Sequence, residues 1–221
     1  MNKKIIVTVL LLFLALNGYS QVSWNVKAGM NVSRITNFGD LGLKPGYQFG
    51  VGMDYFFTDH WGIQPSLMII SKGYKDKGDY YAGYIEEYGY YMPNAFYNHT
   101  INRIYVEMPI MLAYRFNVSH TVKLVLNGGG YVSYGIGGKE KFNVTLFEDG
   151  STEKTNGSSF SERTHKFDFG LGAGTALEYK NRYTVSLFGE WGLKNTYKPV
   201  YPQSTIKESN QTYGLNIGYK F

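Results

Sequence analysis

The sequence predicts an all-β fold, an eight-stranded antiparallel up-and-down β-barrel of the transmembrane kind. The first observation behind this is the stretch 104–116. Its alternate residues Ile104, Val106, Met108, Ile110, Leu112, Tyr114 and Phe116 are all apolar or aromatic. Arg103, Glu107 and Arg115 fall on the other list, with Tyr105, Pro109, Met111 and Ala113. A period of two is a strand with one apolar face. Strands in soluble domains usually run about 5–6 residues, whereas a bilayer-crossing strand needs about 9–11. The second observation is that the same alternation recurs in seven further stretches, joined by connections that are alternately long and short. That is the meander of an outer-membrane barrel. The third is composition: 27 glycines and 21 tyrosines, with no later apolar run of spanning length. Such usage disfavours helices.

The chain opens with Lys3-Lys4, an apolar run over 5–16, and small residues at Gly18 and Ser20. This pattern predicts a signal peptide over 1–20, leaving the barrel at 21–221. A membrane anchor would need a longer run, about 20 residues. There is no cysteine, which excludes a lipoprotein signal and thiol or disulfide chemistry. The net charge of +5 falls to +3 without Lys3 and Lys4, too little and too dispersed for nucleic acid.

The first strand, 24–33, sets Trp24, Val26, Ala28, Met30 and Val32 against Asn25, Lys27, Gly29, Asn31 and Ser33. Gly39, Asp40 and Gly42 mark 34–44 as a loop. The second, 46–57, turns Tyr47, Phe49, Val51, Met53, Tyr55 and Phe57 outward, and Thr58-Asp59-His60 makes a tight turn. The third, 61–72, carries Trp61, Ile63, Pro65, Leu67 and Ile69 outward, and 73–100 reads as the longest irregular segment. After the fourth strand, 117–120 turns the chain into a fifth at 121–135, where Gly128-Gly129-Gly130 reads as small residues making room for large neighbours, with a bend or bulge as the other reading. The polar stretch 137–165 reads as a loop. The sixth strand, 166–179, alternates Phe167, Phe169, Leu171, Ala173, Thr175, Leu177 and Tyr179 with Asp168, Gly170, Gly172 and Gly174. Lys180-Asn181-Arg182 is a tight turn into the seventh strand, 183–194, and a loop over 195–209 with Pro199 and Pro202 leads to the eighth, 211–221. Pro65 and Pro109 each remove a ladder donor, so a bulge or an unpaired position is expected beside them.

Phe56, Phe57, Trp61, Tyr114, Phe116, Tyr179, Tyr183 and Phe221 gather at the short-turn end as an interfacial girdle, with Tyr47, Tyr134, Phe167 and Tyr213 at the other. This places the short turns and both termini in the periplasm.

The inward lists collect Lys27, Asp54, Arg103, Glu107, Arg115, Lys123, Asp168, Glu178, Glu190, Lys194 and Lys220. They suit a polar pore, an internal proton relay or a packed lumen of paired charges. Eight strands enclose an interior that side chains fill, which favours the packed lumen. Glu107 and Arg115 lie eight residues apart on one strand, so each requires a partner from a neighbouring strand. The glycines at 170, 172 and 174 alternate within a strand and make room for Tyr131 and Phe188; no helix or Lys-Ser/Thr follows, so they are no phosphate loop. His60, His99, His120 and His165 have no metal-ligand spacing, and no metal or cofactor is expected. The one catalytic candidate joins His165 to Ser158 or Ser161 and Glu162, but loop composition explains those residues equally, and no enzyme is expected.

The segment 73–100 holds Tyr74, Tyr80, Tyr81, Tyr84, Tyr88, Tyr90, Tyr91, Phe96 and Tyr97 among Asp76, Asp79, Glu86 and Glu87. One reading makes Tyr80, Tyr81, Tyr84, Tyr88, Tyr90 and Tyr91 an exposed surface for a glycan or protein. The other extends strands three and four above the membrane, with tyrosines packing across the hairpin.

The run Tyr105-x-Glu107-x-Pro109-x-x-x-x-Tyr114-x-Phe116, the signal peptide, the glycine-rich later strands and the terminal aromatic together resemble the Bacteroidetes outer-membrane β-barrel family, called PorT-like. The architecture is similar to that of small OmpA/OmpX-type barrels. The resemblance implies the outer membrane of a Gram-negative bacterium, a lipid surround, and recognition of the last strand with Phe221 by the barrel-assembly machinery. It implies no activity. The expected function is a non-enzymatic barrel whose outward loops bind an extracellular protein or glycan, or which supports the envelope. A small pore and a lipid-modifying enzyme are the alternatives, and a soluble lipocalin-like barrel is the structural competitor.

Overall fold

A computed structural model of the chain describes residues 22–36, 42–80, 83–85, 90–92, 94–160, 164–198 and 208–221. The stretch 1–20 expected to be a signal peptide and the prolines at 199 and 202 lie outside the described residues. The strands are β1 (Val22–Ile35), β2 (Lys44–Phe56), β3 (Trp61–Tyr80), β4 (Gly83–Ile85), β5 (Tyr90–Met92), β6 (Ala95–Asn117), β7 (Val122–Leu146), β8 (Thr152–Ser158), β9 (Phe167–Tyr179), β10 (Tyr183–Gly192) and β11 (Asn210–Lys220). Eight of them close a ring in the order β1-β2-β3-β6-β7-β9-β10-β11, every pairing antiparallel. The seam runs from Asn25 opposite Lys220 to Ile35 opposite Asn210. β8 continues the wall beyond the ring by pairing with β7, and β4 and β5 form a separate small hairpin.

The two faces of this wall are inverted relative to a soluble protein. Ile110, Leu187 and Ile217 are 50%, 56% and 62% exposed, while Lys72, Glu107 and Asp168 are at most 1% exposed. Such a continuous apolar surface is unfavourable in water, whereas hydrocarbon solvates it. The lipocalin-like alternative requires the opposite arrangement and fails on this point. Along β7, the outward residues Leu124 to Ile136 cover about 40 Å of strand. At the usual tilt of about 40° this is close to the ~30 Å hydrocarbon thickness.

The short turns follow the sequence reading. At the β9–β10 turn, Lys180 and Asn181 both adopt left-handed φ, 52° and 55°. The Arg182 amide donates to the Tyr179 carbonyl at 3.1 Å, the twist-matched hairpin geometry.

Four expectations are corrected. First, β3 runs to Tyr80 and β6 starts at Ala95, so 73–100 is largely paired strand and not an irregular segment, as the reading that extends strands three and four expects. Likewise β7 runs to Leu146 and pairs with β8 inside the stretch read as the loop 137–165. Both faces of these extensions are rich in polar side chains, so the ladder continues without an apolar alternation to reveal it. Second, Gly128-Gly129-Gly130 pairs regularly on both sides, and the irregularity lies at Ile104/Tyr105, where Ile136 is the extra residue of β7. Third, Phe56 is 6% exposed and points inward beneath the Arg115 guanidinium, so it leaves the girdle. Fourth, β10 ends at Gly192 and Lys194 reaches over the ring of outward-facing Phe167, outside the lumen.

The prolines behave as their chemistry demands. Pairing is interrupted between Gly52/Ser66 and Tyr55/Ile63, and between Pro65/Ile110 and Met68/Glu107, with no change of register. These are unpaired positions rather than bulges.

Candidate functional site

The lumen is built around Lys72. Its ammonium lies 2.5 Å from Glu107 and 2.9 Å from Glu190, and 4.3 Å above the centre of the Tyr131 ring. Glu107 comes from β6, adjacent to β3, whereas Glu190 comes from β10, four strands away in either direction round the ring. The pair therefore spans the lumen. Next to it Asp168 accepts from the Tyr131 hydroxyl at 3.3 Å and the Asn210 amide at 2.8 Å. Towards the long-hairpin end, Arg103 donates to the Ser159 carbonyl at 3.2 Å, and fully buried Tyr105 meets Phe160 edge to face. Gly135 leaves the space for that ring: a Cβ there would lie 2.0 Å from Phe160. Lys72 was absent from the inward set read from sequence, although the alternation over 61–72 places it inward.

A second cluster closes the short-turn end. Lys220 on β11 bonds Asp54 on β2 and Glu178 on β9, both at 2.5 Å. Arg115 reaches Glu178 at 4.0 Å, two strands away, and not a partner on an adjacent strand as expected. Its guanidinium is also stacked 3.4 Å from the Phe56 ring centre. Between the clusters is a cavity of about 90 Å³ lined by Lys27, Gln64, Met68, Met111, Asn127 and Phe188 among others. Lys27 donates to Ser66 at 3.3 Å, and Lys123 lines the short-turn vestibule; neither makes an ion pair among the described residues. Of the inward set, Asp54, Glu107, Arg115, Glu178, Glu190 and Lys220 thus join the two ion-pair clusters, Asp168 and Arg103 are hydrogen-bonded beside them, and Lys27 and Lys123 stand apart. Burying such charges is tolerable because they are paired.

The projecting parts of β3, β6, β7 and β8 form a four-stranded sheet beyond the girdle. Its lumen-side face carries a row of rings. Tyr80 and Tyr97 lie 4.8 Å apart, Tyr97 and Phe142 6.3 Å, Phe142 and His99 5.5 Å, and His99 and Tyr74 6.0 Å. Asp76 lies 3.5 Å from the Tyr97 hydroxyl, and Glu140 2.7 Å from His99. Burial pushes the Tyr74 hydroxyl up to about 12. Tyr80 is therefore placed on this face. Tyr84, Tyr90 and Tyr91 belong to the β4–β5 hairpin by backbone, with their side chains outside the described residues, and Tyr81 and Tyr88 lie outside them altogether. Phe142 escaped the sequence reading because it sits in the polar stretch.

The catalytic candidate is not assembled among the described residues. The Ser158 hydroxyl bonds the Phe160 backbone, His165 donates its backbone N–H to Thr196, and Ser161 and Glu162 lie outside the described set. The described residues also contain no group of three His, Asp or Glu side chains placed to share a metal ion.

A closed ring with an apolar exterior and a charged, packed interior defines a membrane-spanning β-barrel protein. The sequence profile of the outer membrane protein beta-barrel domain matches residues 16–198, and the chain belongs to that family. Among solved structures it is similar to Ail, the attachment invasion locus protein of Yersinia pestis, at 15% identity over 91% of this chain and 99% of that one, with a TM-score of 0.41. It is also similar to Neisserial surface protein A, at 14% identity over 91% and 98% with a TM-score of 0.44. The outer membrane enzyme PagL is similar at 12% identity over 88% and 97%, with a TM-score of 0.40. No curated protein matches the sequence.

Proposed function

We propose that this outer-membrane barrel is non-enzymatic and binds an extracellular glycan or protein with the lumen-side face of its projecting sheet. The observation that supports this is the ring row Tyr80, Tyr97, Phe142, His99 and Tyr74 beside Asp76 and Glu140. Ring faces offer contact area at low entropic cost, and carboxylates accept hydrogen bonds from hydroxyls. Both termini and the short turns lie in the periplasm in this reading, and the long hairpins outside. The PorT-like resemblance supports a Bacteroidetes envelope setting. Phe221, whose amide donates to the Trp24 carbonyl at 2.9 Å, ends the strand that the assembly machinery would engage. The two cross-lumen clusters favour a closed interior over a pore.

A glycan array and a mild-detergent pull-down from native outer membranes test the reading, each run with the full protein and with Tyr97→Ala/Phe142→Ala. A ligand held by the full protein and weakened at least tenfold in a variant that keeps heat-modifiable gel migration is the expected result. Ligands retained equally by both proteins, or no ligand for either, would remove the binding role from this face.

A further inference from the structure

The opposite face of the projecting sheet has a different chemistry. Opposed residues in an antiparallel ladder share a face, so register assigns each side chain. Asn102 faces Lys139, which faces Ser158; Lys75 faces Thr100, Lys141 and Asn156 in turn; Lys77 faces Asn98, Asn143 and Lys154. All of these share the outward side, continuous with the lipid-facing wall, because Arg103 next to Asn102 is buried in the lumen. Five lysines thus lie on one face, against a single carboxylate there among the described residues, Asp79. The acids Asp76, Glu140 and Glu153 are all on the other face. Lys77, Lys139, Lys141 and Lys154 are exposed and Lys75 is half-buried, and no ion pair joins any of them among the described residues.

Their height above the membrane is equally telling. Ile104 and Ile136 are the last apolar residues of the outward face before Asn102 and Lys139. Lys139 follows Ile136 by three residues, about 10 Å along the strand and, at a tilt of about 40°, about 7.5 Å in height. The polar layer beyond the hydrocarbon is roughly 5–8 Å deep on each side, so the lysines start where headgroup phosphates sit. Neighbouring strands are about 4.8 Å apart, which puts Lys75 and Lys141 about 10 Å from one another across β6. That spacing lets several ammoniums converge on one multiply phosphorylated headgroup within a Debye length of about 8–10 Å.

We propose that this lysine face binds the phosphate groups of an outer-leaflet glycolipid headgroup, with Lys139, Lys141 and Lys154 as the principal contacts and Lys75 and Lys77 flanking them. The proposal takes from the preceding section only that this end of the barrel lies outside. It leaves the aromatic face free for its own ligand.

Full-length folded protein in detergent is titrated with diphosphorylated lipid A and with the same lipid stripped of phosphate. The expected result is at least tenfold tighter binding of the phosphorylated form, and loss of that preference in Lys139→Gln/Lys141→Gln/Lys154→Gln. The triple arginine variant keeps the preference, and heat-modifiable migration confirms that each variant is folded. Equal binding of the two lipids, or an undiminished preference in the glutamine variant, overturns the proposal. A soluble polyphosphate that competes no better than chloride is expected if the lipid is the ligand. Full displacement by it at equal concentration would instead assign the face to free anions. Because this assay is indifferent to orientation and to Tyr97 and Phe142, its failure and that of the glycan or protein reading are separable.

Discussion

Lys72 and Glu190 face each other from strands on opposite sides of the ring, 118 residues apart in sequence, and meet at 2.9 Å in the middle of the lumen. With Glu107 on the other side of the same ammonium, one cation serves two buried carboxylates. Removing that cation leaves two like charges without solvent, which is worse than removing the whole cluster.

Lys72→Met is therefore expected to destabilise the barrel by about 3–5 kcal/mol. Adding Glu107→Gln and Glu190→Gln to the same variant should recover at least half of the loss. Reversible urea unfolding in lipid measures both. A single variant within about 1 kcal/mol of the parent would show that the cluster is not a structural tie.

The lumen is crossed at two levels, by Lys72–Glu190 and by Lys220 with Asp54 and Glu178. The purified protein is expected to pass no steady current in planar bilayers. A reproducible unitary conductance would put the pore reading ahead of the closed one.

On the lipid face, the Trp191 indole donates to the Tyr213 hydroxyl at 3.1 Å. Tyr213→Phe keeps the ring and removes the acceptor, so a loss of about 1 kcal/mol is expected. Tryptophan emission during unfolding reports it, and an unchanged midpoint would mean that headgroups or water replace the bond.

At the β7–β8 turn, the Ser151 amide donates to Asp149 at 2.8 Å and holds its carboxyl below the usual value of 3.8. A lowered folded pKa means that the bond supports the turn at higher pH and is lost as pH falls through that lowered value. The Ser151 amide resonance should titrate with a midpoint under 3.8, and Asp149→Asn should abolish the titration. A midpoint at or above 3.8 contradicts the bond.

The sequence contains no cysteine, so introduced thiols report topology cleanly. Lys154→Cys is expected to react with a membrane-impermeant maleimide on intact cells, and Asn181→Cys only after the outer membrane is opened. The reverse pattern would turn the barrel over and move the lysine face to the periplasm.

Much of the wall was legible in advance. Val26, Ile110, Leu187 and Ile217 face out because hydrocarbon accepts only apolar side chains there, and that requirement prints a period of two on the chain. Pro65 and Pro109 announced their unpaired neighbours through the missing amide. The β3–β6 part of the projecting sheet was one of two readings open for 73–100, and the pairing and the Tyr80–Tyr97 contact bear it out. The β7–β8 part was not legible as strand, because water is tolerant on both of its faces and Lys139, Lys141 and Phe142 follow no apolar alternation. The six tyrosines proposed as a surface were only partly placed: Tyr80 stands in the ring row, and Tyr97 and Phe142, outside that set, stand beside it.

The sequence by itself determined the number of ring strands and the face each turns to lipid, since both follow from local alternation and from turns such as Lys180-Asn181. Only the tertiary structure decided which charges meet. Lys72 could find Glu190, and Lys220 both Asp54 and Glu178, only once the ring had closed between β1 and β11 and register had set every side chain's height. Closure brings together residues that no local pattern relates, and burial then makes their pairing obligatory.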